Sequence, residues 1–220
     1  MKIGTDGVLL GAWLSCEGCR QLLDIGTGSG LIALMAAQKC AAGGDRAFYI
    51  TAIDIDPAAA GQAAENFAAS PWVEHLEALP QSLQEYAAGG HSGQFDLMVS
   101  NPPYYVAGKC IIPSGEKRTA ARDDAELSFD DILQAASDML SPRGRLCLIM
   151  PCAREEEFTM KAAGRGFGIL RRCLVSTTAR KAPSRLLVEA GKAAAGIPET
   201  STLTLGSEAW KALTGEFYLY

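Results

Sequence analysis

Asn101-Pro102-Pro103-Tyr104 follows directly on the apolar run Phe95–Ser100, which reads as a buried strand. Two prolines cannot continue a strand's hydrogen-bond ladder, so the strand must end at Ser100 and the chain leaves as a stiff, extended loop. A carboxamide, a proline carbonyl with no competing N–H, and an aromatic face are thereby displayed together. Open α/β sheets place their ligands at the carboxyl ends of such strands. The chemical group that this set suits is a planar amine attached to a ring or a carbonyl. A Pro-rich turn with a packed tyrosine would account for the same residues in isolation, but the first thirty residues weigh against it.

Those residues contain Asp24-Ile25-Gly26-Thr27-Gly28-Ser29-Gly30, lying between an apolar strand and a helical stretch. Glycines let a backbone turn sharply and approach a ligand without Cβ interference, and the next helix presents free N–H groups. Gly28-Ser29-Gly30-Leu31-Ile32-Ala33 also fits the permissive dinucleotide pattern G-x-G-x-x-G/A. Asp24 argues otherwise. A carboxylate immediately ahead of the glycines repels a pyrophosphate but suits the ammonium of an amino-acid-bearing ligand, held directly or through water. Asp54, at the end of the next strand, can accept both hydroxyls of a ribose, and Ile55 can pack on an adenine. S-adenosyl-L-methionine has the ammonium, the ribose and the adenine, and no phosphate. With Asn101–Tyr104 added, it is favoured over a dinucleotide, because hydride transfer has no use for that last motif.

The elements that must position these groups alternate between strand and helix patterns. Strands are expected at Gln21–Ile25, Phe48–Asp54, Leu76–Leu79, Phe95–Ser100 and Arg145–Met150. Helices are expected at Leu31–Cys40, Pro57–Ala69, Ser128–Leu140 and Glu155–Gly164, and Pro142-Arg143-Gly144 reads as a turn. Ile169–Thr177 and Arg185–Ala190 form an expected antiparallel pair, since no helix fits between them. An extra strand at Thr200–Leu205 and a short helix at Ser207–Leu213 complete the reading. The fold class is α/β: one domain over residues 1–220, with a mostly parallel, doubly wound sheet and helices on both faces.

No apolar run approaches the roughly 20 residues of a membrane span, and the start lacks a signal-peptide pattern, so a soluble cytoplasmic protein is expected. Seven cysteines sit mostly in apolar segments and read as reduced packing residues. Cys16-Glu17-Gly18-Cys19 is a lone C-x-x-C with no second pair or nearby histidine, so no metal is expected. Net charge is −5, yet from Met160 to Lys192 eight basic residues (Lys161, Arg165, Arg171, Arg172, Arg180, Lys181, Arg185, Lys192) face one acid, Glu189. Lys109, Lys117, Arg118 and Arg122 follow the Asn-Pro-Pro-Tyr loop. A basic face on an acidic protein fits a polyanion held locally, or an ordinary solvated surface.

With these residues in hand, the chain resembles class I methyltransferases of the N6-adenine type, and more closely the tRNA1(Val) adenine-37 N6-methyltransferase family. The resemblance rests on Met1–Trp13, Leu23–Met35, Ser70-Pro71-Trp72, Phe95–Tyr105 and Ala212–Leu219. The glycine loop and Asn-Pro-Pro-Tyr specify the superfamily only. Thr5-Asp6-Gly7 with Leu9–Trp13, and the doubled Tyr104-Tyr105, are much narrower. The likeness implies a Rossmann-like, seven-stranded sheet with an antiparallel C-terminal strand. It sets Thr5 and Asp6 beside the methionyl end of the cofactor, although the residues alone would equally let them cap a helix over Gly7–Leu14. Two departures stand out. Family members usually carry an aromatic-containing stretch ahead of Lys2-Ile3-Gly4-Thr5-Asp6, where this chain begins. The acidic residue common after strand three is replaced around Gln81-Ser82, so Ser82 or Gln81 is left to accept from the cofactor adenine, more weakly.

The chemistry implied is methyl transfer to an adenine amino group in the anticodon loop of a tRNA. Asn101, which also borders the cofactor, and the Pro102 carbonyl would accept the amine's two N–H bonds. Pro103, Tyr104 and Tyr105 would contact the base, Tyr104 by stacking, and Arg118, Arg122, Lys181 and Arg185 would meet phosphates. A monomer or weak homodimer is expected. Asn-Pro-Pro-Tyr also resembles protein-glutamine and DNA-adenine methyltransferases, whose additional substrate domains this chain has no room for. Guanine-N2 rRNA methylation is a nearer rival, usually with phenylalanine at the position of Tyr104. A non-catalytic RNA-binding module is disfavoured by the intact asparagine and glycines.

Overall fold

The computed structural model describes residues 4–43, 47–103, 127–192, 194 and 196–217. Five parallel strands form the first part of the sheet: β1 (Gln21–Ile25), β2 (Tyr49–Ile53), β3 (Leu76–Leu79), β4 (Phe95–Ser100) and β5 (Leu140–Pro151). β6 (Gly168–Ser176), β7 (Arg185–Gly191) and β8 (Glu199–Thr204) extend it to the order β3-β2-β1-β4-β5-β7-β6-β8. β7 runs antiparallel to both neighbours, and β8 joins parallel to β6 as an eighth, edge strand. The chain winds outward from β1 to β3, then returns to the other side of β1 with β4. This reversal opens a crevice beyond the carboxyl ends of β1 and β4.

Successive strand residues point to opposite faces, and here both faces are buried. Leu22, Ile50, Leu97, Val99 and Ile149 pack under α1 (Thr5–Trp13), α2 (Leu31–Ala42) and α3 (Pro57–Ala68). Leu23, Ile53, Met98, Leu148 and Met150 pack under α4 (Leu83–Ala87), α5 (Phe129–Met139) and α6 (Glu155–Gly164). α7 (Glu208–Thr214) covers the first face through Trp210 and Leu213.

The sheet has eight strands where the likeness implied seven, and the structure departs from the sequence reading in two further places. β5 begins at Leu140 rather than at Arg145. Leu140 pairs with Phe95 and Arg145 with Leu97, so the expected turn at Pro142-Arg143-Gly144 is looped out as a bulge inside the strand. Gly144 is required there, since a Cβ would lie 2.7 Å from the Phe95 carbonyl oxygen. The second departure is α4, which the sequence reading lacked. It is only 5 residues long and opens on a capping box between Ser82 and Glu85.

Gly30, the N-cap of α2, has φ +79°, and a Cβ on it would approach Phe67 Cε1 to 2.5 Å. Replacement by alanine therefore combines backbone strain with overpacking against a buried ring, and a loss of about 3 kcal/mol is expected. Urea unfolding tests this: the midpoint should fall while the slope stays constant.

Candidate active site

Three strand ends meet at the crevice. β1 continues into Gly26–Gly30, β2 into Asp54-Ile55, and β4 into Asn101-Pro102-Pro103. The Ser100 hydroxyl, fully buried, donates to the Ile25 carbonyl at 2.8 Å and ties the end of β4 to that of β1. Gly26 and Thr27 donate their N–H groups to the Ile53 carbonyl at 2.9 and 3.0 Å, tying β1 to β2. The loops that carry the polar groups are thus held by backbone bonds at their roots.

Two abutting cavities fill the crevice. One, of about 550 Å³, is lined by Ile53, Ile55, Gln81, Ser82, Pro102, Pro103, Leu127 and Asp131 among others. The other, of about 360 Å³, is lined by Gly4, Gly7, Thr27, Gly28, Leu31 and Asp56 among others. Gly26, Asp54 and Asn101 border both. Asn101 therefore stands where the two halves of an elongated ligand would join.

Asp54 is prearranged. Its Oδ2 accepts from the Gly28 N–H at 2.8 Å and its Oδ1 from the Asp56 N–H at 2.9 Å. Each carboxylate oxygen retains a lone pair for a further donor, which suits vicinal hydroxyls. Asp56 itself caps α3 by accepting from the Ala58 N–H, and Pro57 occupies the first turn as expected. Ile55 is 59 % exposed, an apolar side chain on the cavity wall with one face open for a flat ring.

Asp24 lies behind the glycine loop, 1 % exposed. Its Oδ2 accepts from the Thr27 hydroxyl at 2.6 Å, while its Oδ1 is buried without a partner. Burial pushes its pKa up to about 7, against the lowering effects of Thr27 and the Ala33 N–H, and the Asp54 charge adds to the rise. A buried carboxylate with an orphaned oxygen is incomplete until a donor or cation reaches it, directly or through water. Thr27 as its partner was not read from the sequence. The i, i+3 spacing within the loop was the available signal.

The remaining predicted site residues divide. Thr5 and Asp6 lie in the first turn of α1, whose N-cap is Gly4 with no side-chain cap. It is Gly4 and Gly7 that face the smaller cavity, and the Asp6 carboxylate instead takes Arg185 Nε at 2.9 Å. Arg185, expected as a phosphate contact, makes that pair with its side chain 42 % exposed and also donates to the Ser184 carbonyl. The Ser82 hydroxyl accepts from the Glu85 N–H and donates to Glu85 Oε2, so one lone pair remains for any ligand on that wall; Gln81 lines the same cavity. Tyr104, Tyr105, Arg118 and Arg122 lie outside the described residues.

Most of the basic stretch is paired with carboxylates, largely at the partly exposed surface. Lys161 and Arg165 pair with Asp130, and Arg172 with Glu155. Arg171 and Arg145 converge on the buried Glu189. Arg171 also donates to the Trp13 carbonyl, Arg145 to that of Ser15, and Lys39 to those of Ala12 and Leu14. Three cations thus satisfy the carbonyls left open at the end of α1. Arg180 and Lys181 stay exposed on the turn between β6 and β7, where β7 begins opposite Pro151 at the end of β5.

Comparison with known proteins places this geometry. The model of the methyltransferase small domain family matches residues 4–168. A protein of Parabacteroides distasonis named tRNA1(Val) (adenine(37)-N6)-methyltransferase is 40 % identical over 226 residues, covering 100 % of this chain and 91 % of its own length. One of the same name from Bacteroides fragilis is 39 % identical over 225 residues with the same coverage. Among solved structures, a predicted O-methyltransferase from Agrobacterium tumefaciens superposes with a TM-score of 0.71 at 19 % identity, covering 98 % of each chain, which is a likeness of fold. Sequence kinship runs over the full chain, which belongs to the methyltransferase small domain family and, within it, to the tRNA1(Val) (adenine(37)-N6)-methyltransferases.

Proposed function

We propose that this protein methylates the exocyclic amine of an adenine in tRNA, position 37 of tRNA1(Val), using S-adenosylmethionine. The observation that carries the reading is the position of Asn101 on the border between two cavities, one lined by the glycine loop and the other by Pro102 and Pro103. The residues fit the cofactor. The orphaned Asp24 Oδ1 awaits a cation or its bridging water, and a Cβ on Gly26 would meet nothing within 4 Å, so the loop leaves open space for a ligand. Asp24, Gly26, Gly28 and Gly30 would hold the methionyl end, Asp54 the ribose, and Ile55 with Gln81 or Ser82 the adenine. Thr5 and Asp6 would complete the methionyl end through the first turn of α1. When bound, S-adenosylmethionine supplies a methyl group made electrophilic by a sulfonium.

The adenine amine is a poor nucleophile because its lone pair is delocalised into the ring. Asn101 Oδ1 and the Pro102 carbonyl would accept its two N–H bonds, drawing the nitrogen toward tetrahedral geometry with the lone pair aimed toward the glycine loop. These bonds strengthen as positive charge grows on nitrogen, so they stabilise the transition state selectively. Pro103, Tyr104 and Tyr105 would sandwich the unstacked base, for which an anticodon loop is already favourable. Phosphate contacts would come from Arg118, Arg122 and Lys181, with Arg185 acting through its pair with Asp6. The whole chain would act as one domain in the cytoplasm, as a monomer or weak homodimer. Methyl-labelled cofactor and an unmodified tRNA1(Val) transcript test this. Label is expected in a single N6-methyladenosine and should vanish when adenine 37 is changed to guanine; a transcript left unlabelled at adenine 37 would refute the assignment.

Asp24 adds a pH dependence. Its carboxyl titrates near 3.8 when unfolded and at about 7 in the fold. Between these values the folded state binds the extra proton, so this group's contribution to stability falls as pH rises from about 4 to 7. A cofactor ammonium nearby favours the ionised form, so binding at pH 6 is expected to release close to one proton. Calorimetry in buffers of different ionisation enthalpy measures this, and Asp24→Asn should abolish the release.

A further inference from the structure

At the end of the sheet away from the cofactor crevice, the loop between α1 and β1 meets the last turn of α2 around an opening of about 180 Å³. Cys16, Cys19, Lys39 and Cys40 line it. Cys16 and Cys40, far apart in sequence, are both buried and share the lining of this one opening. Lys39 is anchored beside them by the carbonyls of Ala12 and Leu14, which fixes its ammonium at the wall. The Cys19 sulfur is engaged elsewhere: it accepts from the Arg145 guanidinium at 3.2 Å and donates to the Glu17 carbonyl. Among the described residues no group of three His, Cys, Asp or Glu side chains is arranged to hold a metal ion.

We propose that Cys16 is a peroxide-reactive thiol resolved by Cys40, the two forming a reversible disulfide that ties the loop after α1 to the end of α2. The Cys40 side chain holds the Cys16 thiol below its ordinary pKa against the opposing effect of burial, and the Lys39 and Arg145 charges act in the same direction as Cys40. Burial pushes the Cys19 thiol up, which sets the two members of the C-x-x-C apart. In the first step the Cys16 thiolate sulfur attacks one oxygen of hydrogen peroxide; the O–O bond breaks, and the departing hydroxide takes a proton to become water. In the second, the Cys40 sulfur attacks the Cys16 sulfenic acid, the S–O bond breaks, and a second water leaves with the Cys40 proton. Two thiols are oxidised and one peroxide is reduced. A dithiol reductant reverses the change by exchange. The motif left over from the methyltransferase site thereby acquires a chemistry of its own.

Peptide mapping tests this on the intact protein. Arg20 and Lys39 place both Cys16 and Cys19 in one tryptic peptide and Cys40 at the start of another. After mild peroxide and alkylation, two thiols should be lost and a cross-link should join those two peptides, disappearing on treatment with dithiothreitol. Cys16→Ser and Cys40→Ser should each abolish the cross-link, while Cys19→Ser should retain it. A bond confined to the first peptide, unchanged cross-linking in Cys16→Ser, or no cross-link in the wild type would each overturn the proposal. If either serine variant fails to fold, fragment-ion sequencing of the wild-type cross-linked pair decides the matter: a bridge at Cys16 supports the proposal and a bridge at Cys19 overturns it.

Discussion

Asn101→Ala is expected to lower methyl transfer to tRNA by about 10²–10³-fold, the range seen when one preorganised polar partner of a transition state is removed. Cofactor affinity should change little, because Asn101 is one of many residues lining the two cavities and its proposed bond is to the target amine. The split follows from when the interaction is made. A carboxamide oxygen facing a neutral amine gives an ordinary hydrogen bond, and it gains strength only as the nitrogen becomes cationic. Single-turnover rates with saturating cofactor separate the two effects. Full turnover by the variant would remove Asn101 from the chemistry.

Asp54→Ala should act on binding first. Both carboxylate oxygens already hold backbone N–H groups in place and would also receive the ribose hydroxyls. Losing two hydrogen bonds to a charged acceptor, at about 1.5 kcal/mol each, predicts a cofactor dissociation constant weaker by about 100-fold. The substitution also frees the Gly28 and Asp56 N–H groups, so the glycine loop loses its brace. A thermal melt with and without cofactor distinguishes the causes: a variant that folds normally but gains no stabilisation from cofactor has lost binding.

Much of this site was legible because its residues announce themselves through backbone constraints. Pro102 and Pro103 end β4 whatever surrounds them, and Gly28 and Gly30 adopt positive φ values of 60° and 79° that other residues rarely tolerate. The strand positions and the antiparallel β6–β7 pair were equally readable, since apolar runs and the lack of a helix between them are local properties, whereas the seven-stranded sheet that the likeness implied has an eighth strand at its edge. Ion-pair partners were not. A charge run in sequence looks like a surface, yet Arg171 and Arg145 turn inward to Glu189, and Arg185 turns to Asp6 from 179 residues away. Such pairings depend on which strands become neighbours, and no local pattern encodes that. The bulge in β5 escaped for a related reason: Pro142-Arg143-Gly144 has turn chemistry, and only the pairing with Phe95 and Leu97 shows that the strand resumes its course.

The position in which the target amine is held decides the mechanism. A crystal structure of the protein with S-adenosylhomocysteine and a tRNA anticodon stem-loop would show it directly. The adenine amine should lie about 3 Å from both Asn101 Oδ1 and the Pro102 carbonyl oxygen, facing the cofactor sulfur. An Asn101 side chain turned out of the cleft, or a base amine bonded elsewhere while the cofactor occupies the glycine loop, would contradict it.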